Sequence, residues 1–310
     1  MHPIRKYLAA AACLAATSVI HADPMLDREI ITTAFPLPHV DNDLDMTEGS
    51  IACPDETIMI TGGAWIFSDN NSVPADIALI SSHPNGNGWT AQAREMADTP
   101  PSNLADNLLV QVVCGYTHRS GSAHIQVVTT NVTLNRSSSN LDLVQGTAAC
   151  PSGKTLISGG AKIFANTNLV PQSVVLMTSK AIGNSWTATA REVADFPQSP
   201  AQLSVRAVCA DAGSGISAPQ VVTTTVDFPD DPAFLDVAFR SATCPAGKSR
   251  IGGGAKILSS NNSIPPFIGL LGSAPSANGW IGVARETQDN APSSITDNLI
   301  VSAVCAVLPP

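Results

Sequence analysis

The chain has 310 residues, with 25 acidic against 16 basic side chains, a formal net charge of −9 and only 5% aromatic content. An acidic surface of this size repels phosphate backbones, so nucleic acid is excluded as an expected partner, and nothing resembles a basic amphipathic helix for a membrane surface. No later segment approaches the ~20 unbroken apolar residues of a membrane span.

Residues 1–22 read as a signal peptide. Arg5 and Lys6 form the positive start, Leu8 to Ile20 the apolar stretch, and His21-Ala22 a small-residue exit before Asp23. Cys13 after a run of alanines offers a lipoprotein signal as the rival, but the apolar stretch would then end too soon. Removing residues 1–22 takes away two positive charges and no acids, so −9 becomes −11. The expected location is secreted or periplasmic.

The rest consists of three copies of one unit: β repeat 1 over 23–117, β repeat 2 over 118–213 and β repeat 3 over 214–310. Each opens on Ile31-Thr32-Thr33, Val128-Thr129-Thr130 or Val222-Thr223-Thr224, 22 residues before Cys53, Cys150 or Cys244. The joins, Tyr116 to His124 and Asp211 to Pro219, are rich in Gly and Ser, as in linkers or surface turns.

Each first cysteine begins a C-P element. Cys150-Pro151-Ser152-Gly153-Lys154-Thr155 and Cys244-Pro245-Ala246-Gly247-Lys248-Ser249 end like a phosphate-binding loop, but Ala148 and Ala242 stand where that motif needs its earlier glycine. Copy one has Asp55-Glu56-Thr57 instead. A turn between strands is expected. Nine residues after each Cys come Gly62-Gly63, Gly159-Gly160 and Gly253-Gly254 inside apolar strands. Glycine weakens a strand, so its recurrence points to a bulge or a close approach, by the repeated Trp before any ligand.

Trp65 follows in copy one, where Lys162 and Lys256 stand in the others. A Trp whose sisters are Lys is expected at the surface, and is the best single contact candidate. Asn71, Asn168 and Asn262, each two residues before Val-Pro or Ile-Pro, suit turns, with binding as the lesser reading. The runs Ile77–Ile80, Val174–Met177 and Ile268–Leu271 read as strands.

Trp89, Trp186 and Trp280 share a strand face with Ala91 and Ala93, Ala188 and Ala190, and Gly282 and Ala284. Small neighbours make room for an indole in a core, while stacking on a sugar ring is the competing use. Next come Arg94-Glu95-x-x-Asp98, Arg191-Glu192-x-x-Asp195 and Arg285-Glu286-x-x-Asp289. A structural ion-pair motif is the simplest reading. Calcium ligation and acid–base work are the rivals.

The copies close on Cys114, Cys209 and Cys305. Leu299, Val301, Ala303 and Cys305 alternate with Ile300, Ser302 and Val304, a half-buried strand, and the third residue before each Cys is Gln111, Arg206 or Ser302. Six cysteines, two per copy in an exported chain, read as disulfides. Pairing within copies joins Cys53–Cys114, Cys150–Cys209 and Cys244–Cys305. The alternative joins Cys114–Cys150, Cys209–Cys244 and Cys53–Cys305. Zinc would want C-x-x-C pairs and spaced histidines, so no metal and no cofactor are expected.

The fold class is therefore all-β: three tandem antiparallel β-sandwich-like modules of five or six strands, each with one disulfide. The alternative is one pseudo-threefold β body. The repeated C-P-x-G-K, G-G-G-A, G-W and A-V-C resemble a loosely defined class of secreted bacterial proteins with β-rich modules of this pattern. That class carries no characterised function, so the resemblance implies no catalytic residue.

His39, His83, His118 and His124 do not recur between copies, and there is no G-x-S-x-G elbow. The function expected is non-catalytic surface binding or adhesion to extracellular polysaccharide or a surface protein, with triplication multiplying weak contacts. The alternatives are a secreted hydrolase, with Glu95 and Asp98 near His83 or His118, and a purely structural envelope or matrix component.

Overall fold

In this computed structural model the residues described are 28–38, 44–69, 73–74, 76–96, 105–116, 125–135, 141–165, 171, 173–194, 200–211, 214, 216–229, 235–287 and 295–308. They contain no helix. The signal peptide lies outside them.

Each repeat supplies six strands. Repeat 1 has β1 (Arg28–Leu37), β2 (Met46–Ala52), β3 (Thr57–Ser68), β4 (Ile77–Asn85), β5 (Gly88–Glu95) and β6 (Asp106–Tyr116). Repeat 2 has β7 (Gln126–Leu134), β8 (Leu143–Ala149), β9 (Lys154–Ala165), β10 (Val174–Ile182), β11 (Ser185–Glu192) and β12 (Ala201–Asp211). Repeat 3 has β13 (Ser217–Asp227), β14 (Val237–Thr243), β15 (Ser249–Ser259), β16 (Ile268–Ser276), β17 (Gly279–Glu286) and β18 (Asp297–Val307).

The all-β class holds, and each module carries its own disulfide, Cys53–Cys114, Cys150–Cys209 and Cys244–Cys305. The sheets, however, cross the repeat boundaries. Sheet I runs β1-β6-β3-β16-β17-β14, sheet II β2-β5-β4-β9-β12-β7 and sheet III β13-β18-β15-β10-β11-β8. Every sheet joins three strands of one repeat to three of another, and the ring closes when β3 of repeat 1 meets β16 of repeat 3. Of the two arrangements the sequence allows, this is the single pseudo-threefold body. A lone repeat would leave both its three-stranded halves with open inner edges, which unpaired backbone groups disfavour.

The junctions are short. Only Gly272↔Trp65 and Ser273↔Ala64, Ser81↔Lys162 and Ser82↔Ala161, or Thr178↔Lys256 and Ser179↔Ala255 pair across them. Outer sheet edges meet at corners, β1 against β2, β7 against β8 and β13 against β14. Cys53, Cys150 and Cys244 each follow the strand β2, β8 or β14, whereas Cys114, Cys209 and Cys305 lie in β6, β12 and β18. Each disulfide therefore ties one sheet to the next, and the three together link sheets I, II and III in a triangle.

The C-P element is the turn expected. Gly153 and Gly247 adopt φ of 81° and 79°, and Glu56 takes 70° in copy one. A left-handed conformation favours glycine, so Glu56 is strained there.

Candidate functional site: an axial core and three outer sheet faces

Two places in this body gather the repeated residues: the pseudo-threefold axis and the middle of each outer sheet face. On the axis, the indoles of Trp89, Trp186 and Trp280 are 1–2% exposed. Each donates its Nε1–H to a serine seven residues earlier, Ser82, Ser179 or Ser273, at 2.9 Å in all three cases. The first glycine of each pair is what the ring lies against. A Cβ on Gly62, Gly159 or Gly253 would fall 2.5, 2.5 or 2.2 Å from the indole. The free space between these groups is about 10 Å³, room for about one water. The Trp–glycine packing expected from the sequence is therefore in place, and these rings cannot stack on a ligand at the surface. The competing reading of Trp89, Trp186 and Trp280 as binding residues that stack on a sugar ring is corrected by their burial.

The second glycine of each pair serves a different contact. A Cβ on Gly63, Gly160 or Gly254 would lie 2.3, 2.2 or 2.1 Å from a carbonyl oxygen of the neighbouring repeat, that of Ser273, Ser82 or Ser179. Two glycines in succession thus admit the indole on one side and the next repeat's backbone on the other.

The Arg-Glu pairs are fastening points. Adjacent strand residues face opposite sides, so the two side chains diverge. Arg191 Nη1 donates to the carbonyl of Ile264, and Arg285 Nη1 to that of Val73, each the residue before a proline in another repeat. Glu95, Glu192 and Glu286 accept the backbone N–H of Asp45, Asp142 and Asp236 at 3.1, 3.1 and 3.0 Å. Arg94 is partnered as well. Asp98, Asp195, Asp289, Asn71 and Asn168 lie outside the described residues. Asn262 is exposed in the turn after β15 with φ 64°, and its N–H donates to the Ser259 carbonyl at 2.9 Å. Among the described residues, no three His, Cys, Asp or Glu side chains cluster to hold a metal ion.

The outer faces break the symmetry. Four equivalent positions surround each junction: Trp65, Gln111, Gly272 and Ala274 on sheet I; Lys162, Arg206, Ser81 and His83 on sheet II; and Lys256, Ser302, Thr178 and Lys180 on sheet III. On sheet I the row is apolar. Phe239 is paired with Val283, Val283 with Gly272, Gly272 with Trp65, and Trp65 with Leu109. Trp65 is half-buried and Phe239 is 44% exposed. Gly272 makes room for the indole, since a Cβ there would be 2.6 Å from Trp65 Cβ, and the Phe67 ring lies 6.1 Å away, tilted by 36°. The Trp65 Nε1–H has no hydrogen-bond partner.

On sheet II, Arg206 reaches across side-chain-free Gly160 to repeat 1. Its Nη1 donates to the Pro84 carbonyl at 2.7 Å and lies 3.0 Å from His83 Nδ1. His83 Nδ1 also lies 3.0 Å from the Pro84 carbonyl, so it either donates there or accepts from Arg206, and these contacts are compatible with both neutral tautomers. Burial first, then the positive charges of Arg206 and Lys162, pushes His83 down to about 4. His83 and Glu95 do not converge: His83 is paired with Thr90 on the outer face, and Glu95 lies five residues further along β5 with its side chain on the opposite face. His118, His39 and His124 are outside the described residues.

Sequence reasoning missed the serine seven residues before each Trp, although S-S-H, T-S-K and G-S-A could have shown it. It also missed Asn87, Asn184 and Asn278, two residues before each Trp. Each Asn accepts a backbone N–H, from Met59, Leu156 or Arg250, at 2.8, 2.7 and 2.9 Å.

No protein-family model matches the chain, and no curated protein matches it. Among the described residues no helix is long and apolar enough to cross a membrane. The three disulfides are consistent with an oxidising compartment.

Proposed function

We propose that this is an exported, non-catalytic binding protein, secreted or periplasmic, that holds extracellular polysaccharide against the outer face of sheet I. The observation that carries the reading is the aromatic and apolar row centred on Trp65, at a position where both sister sheets place lysine. A half-buried indole beside Phe67 offers a flat apolar platform for a sugar ring. The interlocked sheets give such a platform a rigid base, because the strands carrying it come from two repeats.

Affinity electrophoresis of the mature protein through gels containing neutral polysaccharides tests this. Retardation by at least one polymer, weakened about tenfold in Trp65→Ala, is the expected result. Unchanged retardation in Trp65→Ala would move the contact off this face. No retardation by any polymer would leave the structural envelope or matrix role in its place.

A further inference from the structure

The chain is acidic overall, yet the middle of the outer face of sheet III is cationic. Lys256 sits opposite Thr178 across the junction, and Lys180 follows two residues along β10 on the same face. Gly254 brings the strands close, since a Cβ there would lie 2.7 Å from Lys180 Cα. The two lysines are thus diagonal cross-strand neighbours, a placement in which like charges repel. Burial, and then the charge of Lys256, holds Lys180 below the usual lysine range, and burial lowers Lys256 as well. Around them, among the described residues, the strands pair Thr178 with Thr189, Lys256 with Ile300 and Gly254 with Ser302, none of them a carboxylate. Thr178 is only 3% exposed, and its hydroxyl has no hydrogen-bond partner. A buried free hydroxyl beside two uncompensated cations is costly unless an acceptor of negative charge completes it.

Sheet II repeats the arrangement with different residues. Lys162 stands opposite Ser81, and His83 occupies the place of Lys180. His83 is 3% exposed, and its Nε2 has no partner. In the tautomer that accepts from Arg206, that nitrogen is a buried donor beside two further cations, Lys162 and Arg206.

We propose that the centre of the outer face of sheet III binds an oxyanion (sulfate, phosphate or carboxylate) between Lys180, Lys256 and Thr178, and that Lys162, His83 and Arg206 form its counterpart on sheet II. Sheet I has Trp65 and Ala274 at those positions and takes none. The site goes beyond the Trp65 reading and does not depend on it.

The test is a titration of lysine-labelled mature protein with sodium sulfate against sodium chloride at matched ionic strength, following lysine side-chain resonances by NMR. Lys180, Lys256 and Lys162 should shift saturably with sulfate, while Lys248, which donates to the Ala218 carbonyl elsewhere, should not. The double variant Lys180→Gln/Lys256→Gln should lose at least about tenfold in sulfate affinity at sheet III and leave the Lys162 response intact. Because it removes a repulsion, the variant should also fold, which circular dichroism checks. Equal, non-saturating shifts at all lysines would overturn the proposal. Retention on dextran sulfate but not dextran, lost in the double variant, would identify a polymer-borne oxyanion. A saturable NMR response without retention would identify a free one. Trp65→Ala leaves these responses unchanged, so the two readings fail separately.

Discussion

The axis and the outer faces are built by the same three repeats under different constraints. On the axis each repeat places the same glycine, serine and tryptophan, with the Trp–Ser bond at 2.9 Å three times over. On the faces, positions only a strand's thickness away hold Trp, Lys and Lys, or Ala, His and Lys. Close packing explains the difference. Around the axis the Trp, Ser and Gly of all three repeats line one space of about 10 Å³, so a change in one repeat must fit the other two. On the faces each sheet meets solvent alone, and its middle can diverge toward a separate contact.

The largest effect expected from this comparison lies at the axis. Trp186→Ala should cost about 3–5 kcal/mol, and Trp65→Ala about 1 kcal/mol or less, in urea unfolding. Gly159→Ala should join the first class, because the new Cβ would meet the Arg206 carbonyl oxygen at 2.4 Å and the Trp186 ring at 2.5 Å. Equal losses for Trp65 and Trp186 would erase the distinction between the two regions.

His83 gives the next effect, through pH. Its folded pKa of about 4 lies below the unfolded value near 6.5, so between them the unfolded chain binds the extra proton. The contribution is fully present above about pH 6.5 and is lost as pH falls toward 4, amounting to roughly 3 kcal/mol. Unfolding midpoints measured across it should fall in the natural chain and fall less in His83→Gln. Parallel profiles would remove His83 from the account.

Two smaller changes sharpen the contrast from the side of the faces. Lys180→Met removes one of two repelling cations and should raise stability by less than about 1 kcal/mol, visible as a slightly later thermal transition. Glu56→Gly relieves the left-handed turn of copy one and should gain about 0.5–1 kcal/mol. No gain would mean that the Glu56 side chain offsets its own strain.

The all-β class, the three copies and the pairing of cysteines within each copy were legible because strands alternate with period two and the landmarks recur at constant spacing. The double glycine was legible as a close approach, and Trp89, Trp186 and Trp280 as core, because small residues flank the indole on its own strand face. Trp65 stood out by the failure of its sisters to match it. The meeting of His83 with Arg206, 123 residues apart, was not legible, because no local pattern says which repeat a strand's free edge will choose. Nor could Arg191 and Arg285 be assigned to carbonyls in other repeats when acidic residues stand beside them in sequence.

Local chemistry alone determined the repeat, its strands, its turns and its staples, since each depends on residues within one copy. The exchange of half-sheets between repeats was decided only in three dimensions. A three-stranded half exposes an unpaired backbone edge that any equivalent half can satisfy. Closing all three edges at once requires a ring, and that ring brings four residues from two repeats together at the middle of every face.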